Sequence, residues 1–501
     1  MFDIKRYLDD TEIKVLNDWS TRFSSAETYV VGGTVRDILL DKQTSDIDIA
    51  IKPTPFAEIE AFADDHNLKA IWLDEAHGIM RILPRDNTWH LDVAYYQGTI
   101  EEDMERRDFT VNAMAIPLKG FLKGRNETLL DIFNGQKDLK YKKLLAVSDT
   151  AFSDDPIRIL RGIRLSGTLG FTISILAKKQ IQRDAVHLKE CAGERIREEL
   201  LVILGLTNSS HYFEEMLKLK VIENIFPEMM PTLTTDQPDE QQWNVFVHSI
   251  KSMDAFDFLL RKGEWKHADK SVLDAVPWNE DIADHFTESV NYGSSRRHIV
   301  KLAAFLHDIS KPETKVITPE GKIRFYGHPQ VGAVVAKEIM KRLRFSSRET
   351  DIVVKLVEHH LHPVQLSQVR PVEGKEFTPP SKKALFRYCR DLGDEALDAA
   401  YFSLADDLAA FGDGLNLTNW VWHGNITNCI VNELDQLKRS PLPKLLDGDD
   451  LIRLGVPKGP EVGELLEKIL TLQAEGTIVG RDDALEYVNK IIEQGQNETK
   501  E

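Results

Sequence analysis

The chain is poor in what a secreted or membrane-embedded protein needs. Of its 501 residues only three are cysteine, Cys191, Cys389 and Cys429, far apart and in no CxxC pair. That excludes a disulfide framework or a thiolate metal site and fits a reducing compartment. No run approaches the roughly 20 apolar residues of a membrane-spanning helix, and MFDIKRYLDD, with charges of both signs, lacks the apolar centre of a secretion signal. A cytoplasmic protein with no membrane partner is expected. Positive charge is scarce as well: 63 lysines and arginines face 81 aspartates and glutamates, a net charge of −18. Such a surface repels nucleic acid at long range unless basic residues gather on one side. What remains, 42% apolar and 29% charged residues, is ordinary for a globular chain of three or four domains.

Residues 1–145 mix short β-rich runs (TYVVGG, SDIDIAI, IMRILP, HLDVAYY, VNAMAIPL) with helical stretches, the pattern of an α+β domain around a small sheet. Beyond about residue 150 long amphipathic stretches dominate and the chain reads as mainly helical. Segments around 232–241, 369–383 and 440–450 carry linker composition. The expected organisation is a catalytic head at 1–145, a helical neck at 146–235, a helical body at 240–415 and a helical tail at 416–501.

Asp46 and Asp48, in Ser45-Asp46-Ile47-Asp48-Ile49, are one residue apart on a predicted strand, so both point to one face. Like charges that close call for a cation, and hard oxygen donors with room left for phosphates favour Mg²⁺. Upstream, Gly32 and Gly33 stand between an apolar strand and a helix start, where bare backbone N–H groups can approach a triphosphate. Asp92, flanked by apolar residues in His90-Leu91-Asp92-Val93, is either a third metal-site carboxylate or a capped structural aspartate. In Glu105-Arg106-Arg107-Asp108-Phe109-Thr110-Val111-Asn112, the arginines can neutralise triphosphate charge. Together these features read as a nucleotidyl-transfer site.

The run Asp154-Asp155-Pro156-Ile157-Arg158-Ile159-Leu160-Arg161-Gly162-Ile163-Arg164 has acidic residues and a proline where a helix begins. Arg158, Arg161 and Arg164 recur every three residues and make one stripe. A carboxylate accepts from the exocyclic amine of cytosine or adenine, and a guanidinium donates to the adjacent ring nitrogen or carbonyl. Asp155 and Arg158 can thus select C and A, because guanine and uracil place a carbonyl where the amine should be.

A second constellation is imidazole-rich: His248, then His307-Asp308 at the end of an apolar helix, His328, His359-His360 and Asp406. Histidines with carboxylates suit Mn, Fe, Co, Ni or Zn better than Mg. Basic residues also cluster at Arg296-Arg297, Lys341-Arg342-Leu343-Arg344 and Lys382-Lys383 with Arg387 and Arg390. They would follow an RNA backbone if they converged, and would be solubility charges if they scattered.

Five ordered motifs, GGTVRD with DID, RRDFTVNA, DIFNGQKDL, DPIRILRGIR and AGERIREEL, resemble those of the bacterial-type (class II) tRNA nucleotidyltransferase and poly(A) polymerase family. The likeness is densest over residues 29–200, and LIRLGVPKGPEVGELLEKIL is similar to the family's C-terminal helical segment. It implies a polymerase-β-like head followed by an all-α neck, body and tail. It further implies catalysis by Asp46, Asp48 and Asp92, with Mg²⁺ on the first two. Nucleotide binding would fall to Gly32, Gly33, Arg36, Arg107 and Asn112, and the amino-acid template with its stripe to Asp155, Arg158, Arg161 and Arg164. The implied reaction is addition of C and A from CTP and ATP to the tRNA 3′ end. The stretch between Asp92 and Glu105 is short for a member that adds CCA, and in the family such shortening accompanies addition of CC alone. The histidine set resembles the HD superfamily of metal-dependent phosphohydrolases, with Ser310 where HDIGKP-type members have glycine. That resemblance puts one transition metal on His248, His307, Asp308 and Asp406, and a second on His328 with His359 or His360. Alternatives are a poly(A) polymerase, or an HD-type hydrolase with a nucleotide-sensing head.

Overall fold

In the computed structural model, residues 3–498 are described apart from 87, 126–127, 239–242, 368–375 and 441, so parts of all three expected linkers lie outside the described residues. The chain forms two compact units, Met1–Ile203 with Glu215–Ile225, and Leu204–Glu214 with Phe226–Glu501.

The first unit is built on a six-stranded sheet of β1 (Thr28–Val31), β2 (Asp46–Ile51), β3 (Lys69–Asp74), β4 (Ile79–Leu83), β5 (His90–Tyr95) and β6 (Ala115–Pro117), in the order β3-β4-β5-β2-β1-β6. The β2–β5 pair is parallel and the others antiparallel. Alternation along β2 buries Ile47 and Ile49 on one side and leaves Asp46 and Asp48 on the other. Helices α1 (Asp10–Arg22), α2 (Gly32–Leu39), α3 (Phe56–Asp65) and α4 (Ile100–Glu105) accompany the sheet. Trp19, Phe23 and Phe62 fill the core between α1 and α3. Further on, α5 (Ile157–Leu169) buries Ile159, Leu160 and Ile163 and ends at Gly170 in the left-handed region, and α6 (Gly193–Gly205) follows.

The second unit is helical, as the amphipathic pattern predicts. Its centre is α7 (Val245–Leu259), α8 (Arg296–Leu306), α9 (His328–Arg342), α10 (Ser347–His359) and α11 (Ala396–Phe411). Strand is not wholly absent after the head: Lys143–Leu144 pairs with Thr172–Ile173, and two hairpins join Ser289–Asn291 to Ser294–Ser295 and Lys315–Ile317 to Ile323–Phe325. Ladders of two or three residues are too short to produce an alternation signal. Near the C-terminus a separate apolar cluster, with Leu451, Leu465, Ile469, Ala484 and Val488, holds three helices together. Among the described residues no helix is long and apolar enough to cross a membrane.

Candidate active site and histidine cluster

In the first unit Gly32, at φ +62, turns β1 into α2. A Cβ there would stand 3.0 Å from Asp48 Oδ2 and 3.1 Å from an Arg107 terminal nitrogen, so the backbone must be bare for the carboxylate and guanidinium to come this close. The Gly33 amide donates to Asp48 Oδ2 at 2.9 Å. Thr34 Oγ1 accepts from the Asp48 amide at 2.7 Å and donates to the Asp46 carbonyl at 3.1 Å, fixing α2 against β2. Burial, with the charge of Asp92 beside it, raises the Asp48 carboxyl above the usual range despite Arg107 and the amides. Asp46 is two-thirds exposed, its side chain 67% accessible. A recessed and an open carboxylate on one strand face suit a hard cation with substrate oxygens among its ligands.

Register carries the rest of this face. Asp48 is opposite Asp92 and Asp46 opposite His90 across β2–β5, while Arg81 of β4 is opposite Asp92. Arg81 donates to both Asp92 oxygens at 2.7 and 2.8 Å. Asp92 therefore sits beside Asp48, but as the partner of a forked guanidinium.

Beyond the sheet, a network runs to α5. Arg36 donates to Asn112 Oδ1 at 2.8 Å, the Asn112 amide to Asp108 at 3.1 Å, and Arg161 to the other Asp108 oxygen at 3.1 Å. Burial opposes the Asp108 charge, yet Arg161 and the hydrogen bonds hold its carboxyl below the usual range. Glu199 of α6 joins Arg161 at 3.5 Å and Arg164 at 2.6 Å. Asp155 Oδ2 accepts from Arg195 at 2.8 Å and is 3.9 Å from Arg158. The Arg158 terminal nitrogens donate to the Arg106 carbonyl at 2.6 Å and the Ala151 carbonyl at 3.1 Å. One cavity of about 1080 Å³ is lined by every catalytic and nucleotide-binding residue expected in head and neck: Gly32, Gly33, Arg36, Asp46, Asp48, Asp92, Arg107, Asn112, Asp155, Arg158, Arg161 and Arg164. Sequence reasoning did not single out Asp108, Arg195 and Glu199, although RRDFT and AGERIREEL contain them.

In the second unit, five elements converge on buried imidazoles. His248 Nε2 lies 2.7 Å from Asp406 and 3.6 Å from Asp308; His307 Nε2 lies 3.1 Å from Asp308 and 3.2 Å from Asp406. His328 Nε2 is 3.4 Å from the other Asp308 oxygen and 3.3 Å from His360 Nε2. His307, His328 and His360 each donate through Nδ1 to a backbone carbonyl, of Ala304, Phe325 and Val357, at 2.7–2.8 Å. A carbonyl only accepts, so Nδ1 of each carries a proton and Nε2 is the atom turned to the cluster, able to ligate a metal once it is unprotonated, the second-shell arrangement of metal-ligating histidines. Two subsets, His248-His307-Asp406 and His307-Asp308-His360, bring their donor atoms within 4.8 Å of one another. Burial opposes protonation of His307, but Asp308 and Asp406 override it and push the group up to about 10; burial and the His307 charge press His360 down to about 3. Lys311 adds its ammonium 2.6 Å from Asp308. Of the adjacent pair, His360 is buried in the cluster, whereas His359 makes no contact there and lines a cavity of about 420 Å³ with Tyr326 and His362, on the far side of His328. At the end of α10 consecutive residues diverge by about 100°, and that rotation separates them.

Arg296 and Arg297 join neither a converging nor a scattered basic surface. Both are buried, Arg296 on Asp398 at 2.7 Å and Arg297 on Asp257 at 2.6 and 2.8 Å.

Sheet, carboxylate face and arginine-lined cavity define a nucleotidyltransferase head of polymerase-β type, in a chain that also carries an HD-type helical domain. Residues 28–99 and 80–145 match the family described as Poly A polymerase head domain, 170–233 the probable RNA and SrmB-binding site of polymerase A, and 278–410 the HD domain. The chain therefore carries the head domain and RNA-binding region described for polymerase A, followed by an HD domain. The CC-adding tRNA nucleotidyltransferase of Thermus thermophilus is 27% identical over 477 residues, covering 93% of this chain and 94% of its own. The A-adding tRNA nucleotidyltransferase of Deinococcus radiodurans is also 27% identical, over 93% and 95%. In fold, a CCA-adding enzyme solved with CTP matches at a TM-score of 0.61 and 22% identity over 98% of this chain and 97% of its own. The Thermotoga maritima CCA-adding enzyme complexed with tRNA matches at 0.56 and 22% over the same shares.

Proposed function

We propose that the chain is a cytoplasmic, template-independent tRNA nucleotidyltransferase that extends the tRNA 3′ end towards CCA from CTP, and from ATP if it carries the end past CC, releasing pyrophosphate. The observation that carries this reading is that one cavity holds both the Asp46/Asp48 carboxylates and the Asp155/Arg158 pair. In the reaction the 3′-hydroxyl oxygen attacks the α-phosphorus and the bond to the bridging oxygen breaks. Arg36, Arg107 and Arg161 would neutralise the triphosphate, and Asp155 and Arg158 would exchange their present partners for the edge of cytosine or adenine. A divalent cation, taken to be Mg²⁺ and held by Asp46 and Asp48, would supply charge for the reacting phosphate oxygens. Asp92 would support this face by holding Arg81.

One feature favours a product ending in CC. Only Tyr96–Thr99 join β5 to α4, and Thr99 is tied into a capping box with Glu102. The Tyr96 side chain is buried and donates to Glu27. That leaves no spare chain to reshape the site between nucleotides. The relatives adding CC and A are equally identical to this chain, so overall identity is silent on the product. The test supplies tRNA ending at the discriminator base, or already in CC, with CTP and ATP separately and together. Products ending in CC are expected. CCA would overturn the short-connection reading, A added only to CC ends would make the chain an A-adding enzyme, and long A tails a polyadenylating one. No incorporation would overturn the proposal.

We further propose that His248, His307, Asp308 and Asp406, with His328 and His360, hold divalent transition metal and support phosphoester hydrolysis. The three carbonyl-anchored imidazoles favour this second activity. Metal content by mass spectrometry and hydrolysis of bis(p-nitrophenyl) phosphate after Mn²⁺, Co²⁺ or Ni²⁺ loading test it; a metal-free, inactive protein would reduce the cluster to a structural role.

A further inference from the structure

A polyanion binds where positive charge is left over, and the first unit has such a place outside its catalytic cavity. Between Gly135 and Ser148 four lysines stand against a single acid, Asp138, in a chain of charge −18. That acid is buried and accepts from Thr110 Oγ1 at 2.7 Å, so its charge is turned away from them. All four lysines are exposed, and among the described residues none of them is in an ion pair. Basic neighbours elsewhere in the unit are compensated: Lys178 meets Glu215 at 2.8 Å, and Arg183 meets Asp149 and Asp184 at 3.0 and 2.8 Å.

Backbone geometry gathers the spare charge. Lys140 closes the helix Gly135–Lys140, and Lys142 turns the chain in the left-handed region at φ +51, where glycine or asparagine is the usual choice. The Lys142 carbonyl accepts from the Thr172 amide at 2.9 Å and Lys143 pairs with Thr172, so the lysine run lies beside the start of the helix Ile175–Asp184. On that helix Ile175 and the unpaired Lys179, four residues apart, share one exposed face. Ile175 is 78% exposed and Tyr141, between the lysines, 59%. Ammonium groups interleaved with an open ring and an open aliphatic side chain suit duplex RNA, whose phosphates take the cations and whose wide, shallow minor groove offers ribose to the apolar groups. Position selects the part of the RNA. None of these residues lines the cavity, and α5, whose Arg158 does, rises about 18 Å before Gly170 leads into Thr172. We propose that Lys140, Lys142, Lys143 and Lys179, with Tyr141 and Ile175, form a docking surface for the backbone of the duplex acceptor stem whose 3′ end enters the cavity. The match to an RNA-binding region begins at residue 170 and leaves the lysine run outside it.

This rests on the reading of the chain as a tRNA nucleotidyltransferase, and the experiment keeps the two apart. The probes are tRNA ending at the discriminator base and a single-stranded RNA of the same 3′ sequence, used for binding at several salt concentrations and for CMP incorporation. In the full chain carrying Lys140→Gln, Lys142→Gln and Lys143→Gln, KM for tRNA is expected to rise about tenfold or more, and the slope of log K against log salt to fall by about two to three units. KM for CTP, kcat and affinity for the single strand should each change less than about twofold. Arginine at the same three positions keeps the charge and should restore tRNA affinity, which a merely structural loss would not allow. Unchanged affinity and slope would reduce the lysines to solubility charges. Equal loss for tRNA and the single strand, a matching rise in KM for CTP, or failure of the arginine variant to restore binding would each overturn duplex docking. If the wild-type chain incorporates no CMP, the functional reading falls, while tRNA binding still decides the surface; if it incorporates CMP and the glutamine variant matches it, only the surface falls.

Discussion

At the residue scale the carboxylates of β2 are unequal. Asp48 is recessed under the Gly33 amide, and Asp46 is open to whatever enters the cavity. Asp48→Asn keeps the shape and removes the charge, so nucleotide incorporation should fall on the order of a thousandfold, a loss of about 4 kcal/mol of transition-state stabilisation. Unchanged thermal melting of the variant would show that the loss is chemical. Asp155→Ala should act on choice of nucleotide: with no acceptor facing the exocyclic amine, discrimination against UTP and GTP should narrow by about tenfold or more, measured as ratios of kcat/KM. Asp46, Asp48, Asp155 and Arg158 are legible in the sequence because period two and helix-start chemistry act over a few residues. Arg195 and Glu199 are not: the first reaches Asp155 across 40 positions and the second reaches Arg164 across 35, distances no local pattern encodes. The choice between His359 and His360 is likewise a matter of helix phase where α10 ends.

At the scale of elements, five of the six strands of the head sheet correspond to short β-rich runs in the sequence. β3, KAIWLD, does not alternate cleanly, and only pairing with β4 reveals it. α8 teaches the converse. Its first residues read as a basic patch, yet Arg297 and Lys301 converge on buried Asp257, and their remaining donors reach the Gly205 and Leu206 carbonyls. These charges hold the helical unit together. Arg297→Ala should therefore destabilise the protein by about 3 kcal/mol, since it strands part of a buried carboxylate's counter-charge. Denaturant unfolding would register this. The salt dependence of tRNA binding should not change, whereas a loss of about one unit in the slope of log K against log salt would identify Arg297 as a phosphate contact.

At the scale of the whole molecule the charge is −18, and even the cavity of the head is lined by eight arginines, Arg36, Arg107, Arg158, Arg161, Arg164 and Arg195 among them, against ten carboxylates, so a polyanion there would depend on guanidiniums released from their present partners and on a bound cation. The two proposed activities divide between two sites of one chain, one of hard carboxylates and one of imidazoles. His307→Ala with Asp308→Ala should abolish metal-dependent hydrolysis of bis(p-nitrophenyl) phosphate and leave CMP incorporation within about twofold; equal loss of both would make the cluster a structural support. The parallel pairing of β2 with β5 carries a consequence for evolution. The gap between Asp48 and Asp92 is set by peptide hydrogen bonding, about 4.8 Å from strand to strand, and not by any side chain that mutation can lengthen. It acts as a fixed gauge under the chemistry. Divergence in this head can re-dress the two rails with other donors, or lengthen the four-residue bend after them, but it cannot widen the track.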